Sequence, residues 1–300
     1  MIAIDWGTTR LRAYRVAGDG AVRERRVADA GILAVPDGDF AGALLALVHD
    51  WIAAGEARIL MSGMIGSRQG WREAPYVSTP AGPDRIGEGL VPVEVRPGLQ
   101  AWIVPGVVTR GADGVHDVMR GEETQVLGVA RSLGSGRHLL CLPGTHSKWV
   151  DLEDGRITAL RTHMTGEVFA VLAGHSILGR TMPATDDFHE DAFLEGVARS
   201  GHGGGLLHHL FGVRAQCLTG ALPEAATRDY LSGLLLGHEL RQAPEASVTH
   251  LLGDPGLAER YRLACTHLGR KTYLLDPDAA AAGLYGIASA LGWLDHGSGA

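Results

Sequence analysis

The alternation of apolar and polar residues at the N-terminus predicts a β-meander, in which three strands are joined by tight turns. Residues 2–5 are mostly apolar, and apolar positions alternate again over residues 11–16. The turn between them is Gly7-Thr8-Thr9, and a second turn at Gly18-Asp19-Gly20 leads into a third strand over residues 22–27. This segment is therefore expected to form neighbouring strands of one sheet.

The same pattern recurs in the middle of the chain. The order of elements is again strand, turn, strand and strand, over residues 138–142, 144–147, 149–152 and 157–160. One constant offset without a gap relates three pairs of turn residues: Gly7 and Gly144, Thr8 and Thr145, and Gly18 and Gly155. Two copies are too few for a solenoid, so the repeat predicts an internally duplicated protein with two domains.

Helical and strand patterns alternate along the rest of the chain. Apolar residues recur at helical spacing over residues 40–52, before a strand of buried type over residues 58–62. Further elements are predicted as helices from Pro223 onward and over residues 257–268 and 279–291, and as strands over residues 248–252 and 272–275. The pattern predicts an α/β fold with a helix-covered sheet in each domain. The expected domains are residues 1–115 and 116–300, and the last helix could pack back on the first domain.

Composition places the chain among soluble globular proteins. Hydrophobic residues make up 45% and charged residues 20% of its 300 residues, and Asp5 interrupts the N-terminal apolar segment, which argues against a signal peptide. No apolar run reaches the roughly 20 residues that span a bilayer. The three cysteines, Cys141, Cys217 and Cys265, are widely spaced, which favours a reducing compartment over disulfides or a zinc site. A net charge of −7 disfavours nucleic acid as a partner. We expect a cytoplasmic protein without a membrane partner, and a homo-oligomer is compatible with the sequence.

The duplicated Gly-Thr turns have a chemical use beyond reversing the chain. Backbone N–H groups in such a turn can point into a concavity that holds anionic oxygens, and threonine hydroxyls add donors. A plain hairpin turn is the alternative for one copy, but two copies in register favour a pair of phosphate-binding loops. Asp5, at the end of the first strand, is suited to orient magnesium through its waters. The chain has no Gly-x-x-x-x-Gly-Lys-Thr sequence, which excludes the usual P-loop class.

These turns also carry a family resemblance. Asp5-Trp6-Gly7-Thr8-Thr9 resembles the first phosphate motif of the actin/hexokinase/Hsp70 superfamily, Gly144-Thr145 stands where the second belongs, and residues 251–255 resemble the adenosine motif. Within the superfamily, the chain is similar to 2-dehydro-3-deoxygalactonokinases in four stretches, at residues 62–71, 117–125, 143–149 and 164–167. Pro143 departs from the wider superfamily, whose second phosphate motif often opens with an acidic residue.

The resemblance implies a two-domain actin-like (ribonuclease H-like) ATPase fold around a central cleft, and an ATP- and magnesium-dependent sugar-acid kinase. Its implied substrate is 2-dehydro-3-deoxy-D-galactonate, phosphorylated to the 6-phosphate in galactonate degradation. The residues that it assigns to the nucleotide are Asp5, Gly7, Thr8, Thr9, Gly144, Thr145, His146, Gly253 and Pro255. Asp5 is also expected to hold Mg²⁺ through water.

A carboxylate that accepts the proton of the attacking hydroxyl is expected shortly before the second phosphate motif. Glu122 is the first choice, because an acid two residues before Thr124 resembles the Asp-x-Thr arrangement of the hexokinase-like branch. Asp117 is the second choice. The structural alternative is that Glu122 and Glu123 simply occupy the first turn of a helix, where the helix dipole favours acids.

The stretch at residues 62–71 follows a buried strand, at the position where α/β proteins bind ligands. Arg68 is expected to hold the substrate carboxylate with its planar fork, and Ser67 or Gln69 to contact hydroxyls. A surface loop with a solvated arginine is the alternative. Arg72 and Arg85 compete for the carboxylate, and the sequence does not choose between them.

Other polar residues have structural interpretations. Lys148 could reach a phosphate or turn to solvent. Thr165-Gly166-Glu167 is expected to start a helix, with Thr165 as its cap. The histidines His202, His208 and His209 lie in a glycine-rich segment without a metal-binding spacing, which predicts a solvated loop.

Three other functions are compatible with the fold. A partner-coupled actin-like ATPase is disfavoured because the chain has little room for a peptide-binding extension. A sugar sensor is disfavoured because the chain begins with the phosphate strand rather than a helix-turn-helix. A kinase for a neutral sugar or another keto-deoxy acid is the nearest rival, since a fold alone does not fix the substrate.

Overall fold

The structure is a computed structural model that describes residues 1–111, 113–182 and 187–294. The chain divides into two compact units. Unit 1 comprises Met1–Arg137, Val150–Leu160 and the segment from Asp276, and unit 2 comprises His138–Trp149 and Arg161–Leu275. Each unit is therefore assembled from segments that are distant in sequence.

Strands and α-helices alternate through the described residues. The strands are β1 (Ile2–Trp6), β2 (Leu11–Val16), β3 (Val22–Ala28), β4 (Ile59–Gly63), β5 (Tyr76–Ser78), β6 (Val91–Arg96), β7 (Leu99–Ile103), β8 (Gly106–Arg110), β9 (His116–Met119), β10 (Arg137–Leu142), β11 (Ser147–Glu153), β12 (Arg156–His163), β13 (Thr249–Leu251) and β14 (Thr272–Leu274). The helices are α1 (Phe40–Ala53), α2 (Pro83–Glu88), α3 (Glu122–Leu133), α4 (Thr165–His175), α5 (Glu190–Arg199), α6 (Gly205–Leu218), α7 (Thr227–Gln242), α8 (Pro255–His267) and α9 (Ala280–Ala290). The predicted α/β class is confirmed.

Unit 1 contains a six-stranded sheet in the order β3-β2-β1-β4-β7-β6. The strand β1 pairs antiparallel with β2 and parallel with β4, so that Asp5 lies opposite Ser62. Ile2, Ile4 and Trp6 alternate along β1 and enter the hydrophobic core. The parallel pairing brings the carboxyl ends of β1 and β4 to one edge of the sheet, where α/β proteins bind ligands.

The helix α1 contributes a buried face to the core of unit 1. Its cap, Asp39, accepts a hydrogen bond from the Gly42 amide at 2.8 Å. Its buried residues are Phe40, Leu44, Val48 and Trp51. The rings of Trp6 and Phe40 meet edge to face, with 5.7 Å between their centres. The helix predicted over residues 40–52 is confirmed, with one further residue at its end.

The helices α3 and α9 pack on each other in unit 1 through glycines. A Cβ atom on Gly128 would lie 1.9 Å from the Ala279 carbonyl oxygen, and one on Gly283 would lie 1.7 Å from the Thr124 carbonyl oxygen. No larger residue fits at either position. The sequence-based boundary at residue 115 puts the α3 segment in the second domain, whereas this close packing groups α3 and α9 together in unit 1.

The core of unit 2 lies between a sheet and three helices. The sheet has the order β12-β11-β10-β13-β14, in which β10, β13 and β14 are parallel neighbours. Its parallel strands belong to unit 2 from His138 onward, whereas Val150–Leu160, in β11 and β12, is grouped with unit 1. Side chains of β10, β11, β13, α5, α7 and α8 form one hydrophobic cluster, which includes Cys141, Trp149 and Tyr261. The helices α5 and α7 approach closely, because a Cβ on Gly233 would lie 1.8 Å from the Phe193 carbonyl oxygen.

Two local predictions for unit 2 differ from the structure. The segment after Pro223 is a 3₁₀ turn, and α7 begins only at Thr227. The predicted solvated loop around the histidines is wrong: His208 and His209 lie in α6, and His209 is only 1% exposed. Both ring nitrogens of His209 have hydrogen-bond partners, which compensates its burial. His202 and His208 are exposed, as expected.

Three general features concern residues 1–111, 113–182 and 187–294. No helix in these ranges has both the length and the apolar character needed to cross a bilayer. No group of three or more His, Cys, Asp or Glu side chains there is arranged to hold a metal ion. The three cysteines are free thiols.

Candidate functional site

The first Gly-Thr turn connects β1 to β2 in unit 1. The Gly7 amide donates a hydrogen bond to the Arg10 carbonyl oxygen at 2.9 Å and closes the turn. The Gly31 amide donates to the Thr9 carbonyl oxygen at 3.2 Å, and a Cβ on Gly31 would lie 2.1 Å from the Thr8 carbonyl oxygen. Thr8 and Thr9 themselves are exposed. The turn is thus held by backbone hydrogen bonds and by the close packing of Gly31.

Asp5 is the penultimate residue of β1, next to this turn. Its Oδ2 accepts a hydrogen bond from Arg12 Nη1 at 2.8 Å, and 13% of its side chain is exposed. Burial raises the pKa of the Asp5 carboxyl above its usual range, and the Arg12 guanidinium opposes that rise. A partly exposed carboxylate next to this turn fits magnesium, because this ion keeps several waters and needs only one or two carboxylates besides substrate phosphates.

The carboxyl ends of β1 and β4 meet the start of α3 through glycines. Gly63 and Gly121 have φ angles of 96° and 106°, and a Cβ on Gly121 would lie 3.2 Å from the Gly63 Cα. A Cβ on Gly63 would lie 2.7 Å from the Trp6 carbonyl oxygen and 3.5 Å from Asp5 Oδ1. Glycine at both positions therefore lets the first turn of α3 approach Asp5.

Both predicted catalytic carboxylates lie in unit 1, but in different elements. Glu122 is the first residue of α3, and its Oε2 accepts a hydrogen bond from the Arg120 amide at 3.1 Å. Asp117 lies in β9, in the three-stranded sheet β5-β8-β9, and its Oδ1 accepts from the Val118 amide at 2.7 Å. The glycine contact at the start of α3 brings Glu122 toward the sheet edge that carries Asp5, whereas Asp117 belongs to a separate sheet.

The adjacent Glu123 is a fully buried acid whose burial sequence reasoning did not foresee. Its Oε2 accepts a hydrogen bond from the Gly121 amide at 2.7 Å, and its Oε1 has no partner among the described residues. Burial, with the nearby Glu122 charge, raises the pKa of Glu123 to about 8. Glu123 therefore carries a proton at neutral pH. In the sequence the two acids look alike, and only the packing of one face of α3 separates them.

The predicted substrate loop follows β4 and begins with a 3₁₀ turn, Met64–Gly66. Arg68 is exposed over 87% of its side chain, and its Nε donates to Glu73 Oε1 at 3.0 Å. Gln69 is also exposed. Ser67 has a buried Oγ without a hydrogen-bond partner in the described part of the chain. The Arg68–Glu73 pair is a surface ion pair, which a substrate carboxylate can displace at small cost.

Three further arginines lie in unit 1 near this loop in sequence or in space. Arg72 Nη1 donates to a backbone carbonyl at 3.0 Å, and Arg85 Nη1 pairs with an exposed acid three residues later at 3.3 Å. Arg120, which the sequence analysis gave no role, donates to the Ala74 carbonyl oxygen at 2.7 Å and lies 4.4 Å from the centre of the Tyr76 ring. These contacts make Arg120 a packing residue for the segment that follows the loop.

The second Gly-Thr turn connects β10 to β11 in unit 2. Thr145 and His146 are exposed, and His146 Nε2 pairs with the Glu167 carboxylate. The Glu167 amide donates to the Thr145 carbonyl oxygen at 2.9 Å. Gly166 packs so closely that a Cβ would lie 2.5 Å from the Gly144 carbonyl oxygen. The start of α4 thus supports this turn directly.

The expected role of Thr165 as the cap of α4 is wrong. The helix begins at Thr165 itself, after Met164, which has no side-chain capping bond. Thr165 Oγ1 instead donates to the Glu239 carboxylate on α7. Lys148, whose direction the sequence leaves open, is buried, and its Nζ donates to Thr162 Oγ1 at 2.9 Å. Each contact joins two different elements, so local sequence spacing could not indicate it.

The predicted adenosine motif lies next to the second turn. A Cβ on Gly253, just after β13, would lie 3.2 Å from the Pro143 carbonyl oxygen. The parallel pairing of β13 with β10 brings Gly253 to this place, beside the residue that precedes Gly144. Asp254 then caps α8, whose first residue is Pro255. The second Gly-Thr turn and the predicted adenosine motif therefore lie side by side in unit 2.

A cavity of about 200 Å³ opens in unit 2 beside the second turn. Gly144 and Gly166 line it, together with Arg228, Arg260 and apolar side chains of α7 and α8. The Arg228 guanidinium lies 5.0 Å from the centre of the Phe169 ring. Such a lining suits a ligand that combines an apolar part with negative charge. A larger cavity in unit 1, about 670 Å³, lies along α3 and α9, and no predicted site residue lines it.

The fold is that of actin-like ATPases and sugar kinases. Component A of (R)-2-hydroxyglutaryl-CoA dehydratase from Acidaminococcus fermentans shares it, with a TM-score of 0.51 and 12% identity over 97% of this chain and 98% of that one. A crystal structure from Sinorhizobium meliloti is much more similar, with a TM-score of 0.87 and 37% identity over 97% and 98% of the two chains. That protein has a provisional assignment as a 2-dehydro-3-deoxygalactonokinase.

Sequence comparison agrees with this structural similarity. The 2-dehydro-3-deoxygalactonokinase of Escherichia coli K12 is 38% identical over 296 residues, which cover 97% of this chain and 98% of that protein. The profile of the 2-keto-3-deoxy-galactonokinase family matches residues 5–287. The chain therefore belongs to the 2-keto-3-deoxy-galactonokinase family. The resemblance found in the four sequence stretches is confirmed.

Proposed function

We propose that this protein transfers the γ-phosphoryl group of ATP to 2-dehydro-3-deoxy-D-galactonate and forms the 6-phosphate. Family membership over nearly the whole chain supports this reaction. The structural observation that carries the proposal is in unit 2, where the second Gly-Thr turn, Gly253 and the arginine-lined cavity lie together. This arrangement offers backbone donors for phosphates and a pocket for a nucleoside, which a kinase needs.

The nucleotide is assigned to the residues of the two turns and the adenosine motif. These are Asp5, Gly7, Thr8 and Thr9 in unit 1, and Gly144, Thr145, His146, Gly253 and Pro255 in unit 2. Asp5 would hold Mg²⁺ through water, and its bond to Arg12 fixes the direction of its carboxylate. When bound, the ion neutralises charge on the transferred phosphate.

Glu122 is assigned as the proton acceptor for the attacking hydroxyl. Its place at the start of α3, near the strand end that carries Asp5, supports this role. Glu123 is unsuited, because a pKa of about 8 leaves it protonated at neutral pH. As the sugar oxygen bonds to the γ-phosphorus, the bond from that phosphorus to the β–γ bridging oxygen breaks and ADP leaves, while the proton of the sugar hydroxyl passes to the Glu122 carboxylate. Asp117 remains the alternative acceptor.

The substrate is assigned to the loop after β4. Arg68 would hold the carboxylate, because its guanidinium is exposed and its ion pair with Glu73 is at the surface. Ser67 and Gln69 would contact hydroxyls. The Ser67 hydroxyl is a candidate because it lacks a partner in the described residues. Binding would exchange a weak surface pair for a charge-assisted bond to the substrate.

We propose a cytoplasmic location, and the three free thiols support it because they suit a reducing compartment. The test is ADP release by the purified protein with ATP and 2-dehydro-3-deoxy-D-galactonate, compared with neutral sugars and with no sugar. Release that depends on the sugar acid is expected. Equal ADP release without sugar would indicate a partner-coupled ATPase instead of a kinase. ADP release with a neutral sugar alone would indicate that the substrate is a neutral sugar.

A further inference from the structure

Glu239, on α7 in unit 2, is a buried carboxylate that accepts four hydrogen bonds. Only 3% of it is exposed. Ser147 Oγ and Trp149 Nε1 donate to its Oε1, each at 2.8 Å. Tyr261 Oη donates to Oε2 at 2.9 Å, and Thr165 Oγ1 donates to the same oxygen. Four donors around one carboxylate compensate its burial.

The donors come from the elements that surround the second Gly-Thr turn. Ser147 follows the turn directly and begins β11, in which Trp149 also lies. Thr165 precedes Gly166, which is packed against the Gly144 carbonyl oxygen. Tyr261, on α8, lines the 200 Å³ cavity together with Thr165. One carboxylate therefore links the turn, the start of α4 and α8.

Only a carboxylate satisfies these four donors at once. Each of its oxygens accepts two hydrogen bonds, whereas a glutamine of the same size would place an NH₂ donor at one of the two positions. Because the Trp149 N–H can only donate, glutamine would keep its carbonyl oxygen on the side of β11. Its NH₂ group would then face the hydroxyls of Thr165 and Tyr261, which would have to rotate. The link to the start of α4 would weaken first.

We propose that Glu239 is a positioning residue for the nucleotide, which holds the second Gly-Thr turn and the start of α4 in the geometry that binds phosphate. This inference rests on the proposed function, in which that turn binds ATP. Glu239 is buried and does not line the 200 Å³ cavity beside the turn, so its effect on the nucleotide would pass through the residues that it holds. Its loss should therefore weaken ATP binding more than sugar-acid binding.

The test compares Glu239→Gln, Thr165→Val and Thr165→Ser with the wild-type protein. The dissociation constant of ATP is measured by calorimetry, and KM for ATP and for the sugar acid by ADP release. We expect Glu239→Gln to raise both ATP constants about tenfold, the value of one lost bond to a charged group, with KM for the sugar acid changed less than about twofold. Thr165→Val should show a smaller rise of the same kind, and Thr165→Ser should restore wild-type values because it keeps the hydroxyl.

A matched control separates positioning from general stability. Ser200 Oγ, at the C-terminal end of α5, accepts a hydrogen bond from Arg241 Nε on α7 at 2.9 Å, and Ser200 does not line the 200 Å³ cavity. Ser200→Ala should lower the melting temperature without changing the dissociation constant of ATP. A melting temperature lowered by Glu239→Gln with an unchanged ATP constant would overturn the inference and leave Glu239 as a stabilising residue only.

The other possible results of this test also support or contradict the inference about Glu239. If Glu239→Gln does not fold, the Thr165 pair replaces it, and equal ATP constants for the valine and serine variants would overturn the inference. If the wild-type protein binds ATP but does not phosphorylate the sugar acid, the proposed function is rejected. The dissociation constants of ATP for the variants would then still test the role of Glu239. A wild-type protein that binds no ATP would reject both.

Discussion

The two Gly-Thr turns share a sequence pattern but are supported in different ways. The first is held by backbone groups, since the Gly31 amide bonds the Thr9 carbonyl oxygen and leaves no space for a side chain. The second has similar backbone support from Gly166 and the Glu167 amide, and it has side-chain support in addition, since Glu167 pairs with His146 and Glu239 binds the donors around the turn. A duplicated motif thus does not imply duplicated support.

The regions also differ in their charged groups. Two acids lie near the first turn: Asp5 is at the end of β1, and Glu122 is at the start of α3. The second turn follows Pro143, and its cavity carries Arg228 and Arg260. Substitutions in unit 1 should therefore act mainly on kcat, and substitutions in unit 2 mainly on the affinity for ATP.

The largest expected effect is that of Asp5→Asn. Without its carboxylate charge, the variant should lose orientation of Mg²⁺ on the phosphates, and kcat should fall about 10²- to 10³-fold. Asp29→Asn is the control, because Asp29 is 94% exposed in the same unit. Steady-state kinetics at several Mg²⁺ concentrations measure the effect. A fall in kcat of less than about tenfold would remove Asp5 from the reaction.

Glu122→Gln should have the next largest effect. If Glu122 accepts the proton of the sugar hydroxyl, kcat should fall about 100-fold while KM for ATP changes little. Asp117→Asn tests the alternative acceptor in β9 and is expected to keep most activity. The reverse ranking of the two variants, measured under the same conditions, would transfer the role to Asp117.

Arg228→Ala tests whether unit 2 determines the affinity for ATP. Removal of this cation from the cavity of unit 2 should raise KM for ATP about tenfold and leave kcat within about twofold of wild type. Arg241→Ala serves as the control, because Arg241 lies on the same helix but does not line the cavity. A change in kcat without a change in KM would contradict the division of roles.

The smallest expected effect concerns stability and pH. Burial raises the pKa of Glu123 from 4.5 to about 8, so its contribution to stability is complete below about pH 4.5 and is lost as the pH rises toward 8. Glu123→Gln should remove this loss, and its melting temperature should exceed that of wild type by a few degrees near pH 8 and by less near pH 5. Parallel melting profiles over this range would show that Glu123 is not protonated in the folded protein.

The turns and the α/β class could be predicted because local residue types determine them. Gly7 and Gly144 stand between strands whose alternation is visible in the sequence, and the adenosine motif shows its own strand and glycine. Glu239 and Arg228 gave no such signal. Each is an ordinary residue of a predicted helix, and its partners lie in elements that only the fold brings near.

The sequence also did not indicate how deeply individual side chains are buried. Glu122 and Glu123 are adjacent acids in one helical turn, yet one is half-buried and the other fully buried. The prediction for His209 failed for the same reason, since neighbouring glycines suggested a loop where hydrogen bonds stabilise a buried ring. The local residue types around these two helices therefore did not indicate which side chains are buried.

The glycine-mediated packing of α9 on α3 has a consequence for how the chain assembles on the ribosome. The segment from Asp276 supplies α9, and Asp278 itself pairs with Arg25 at 2.6 Å, near the other end of the chain. The residues of unit 2 end at Leu275, so all of them are synthesised before this segment emerges. Unit 1, whose residues are the first to be synthesised, can therefore be completed only after all residues of unit 2 have been made.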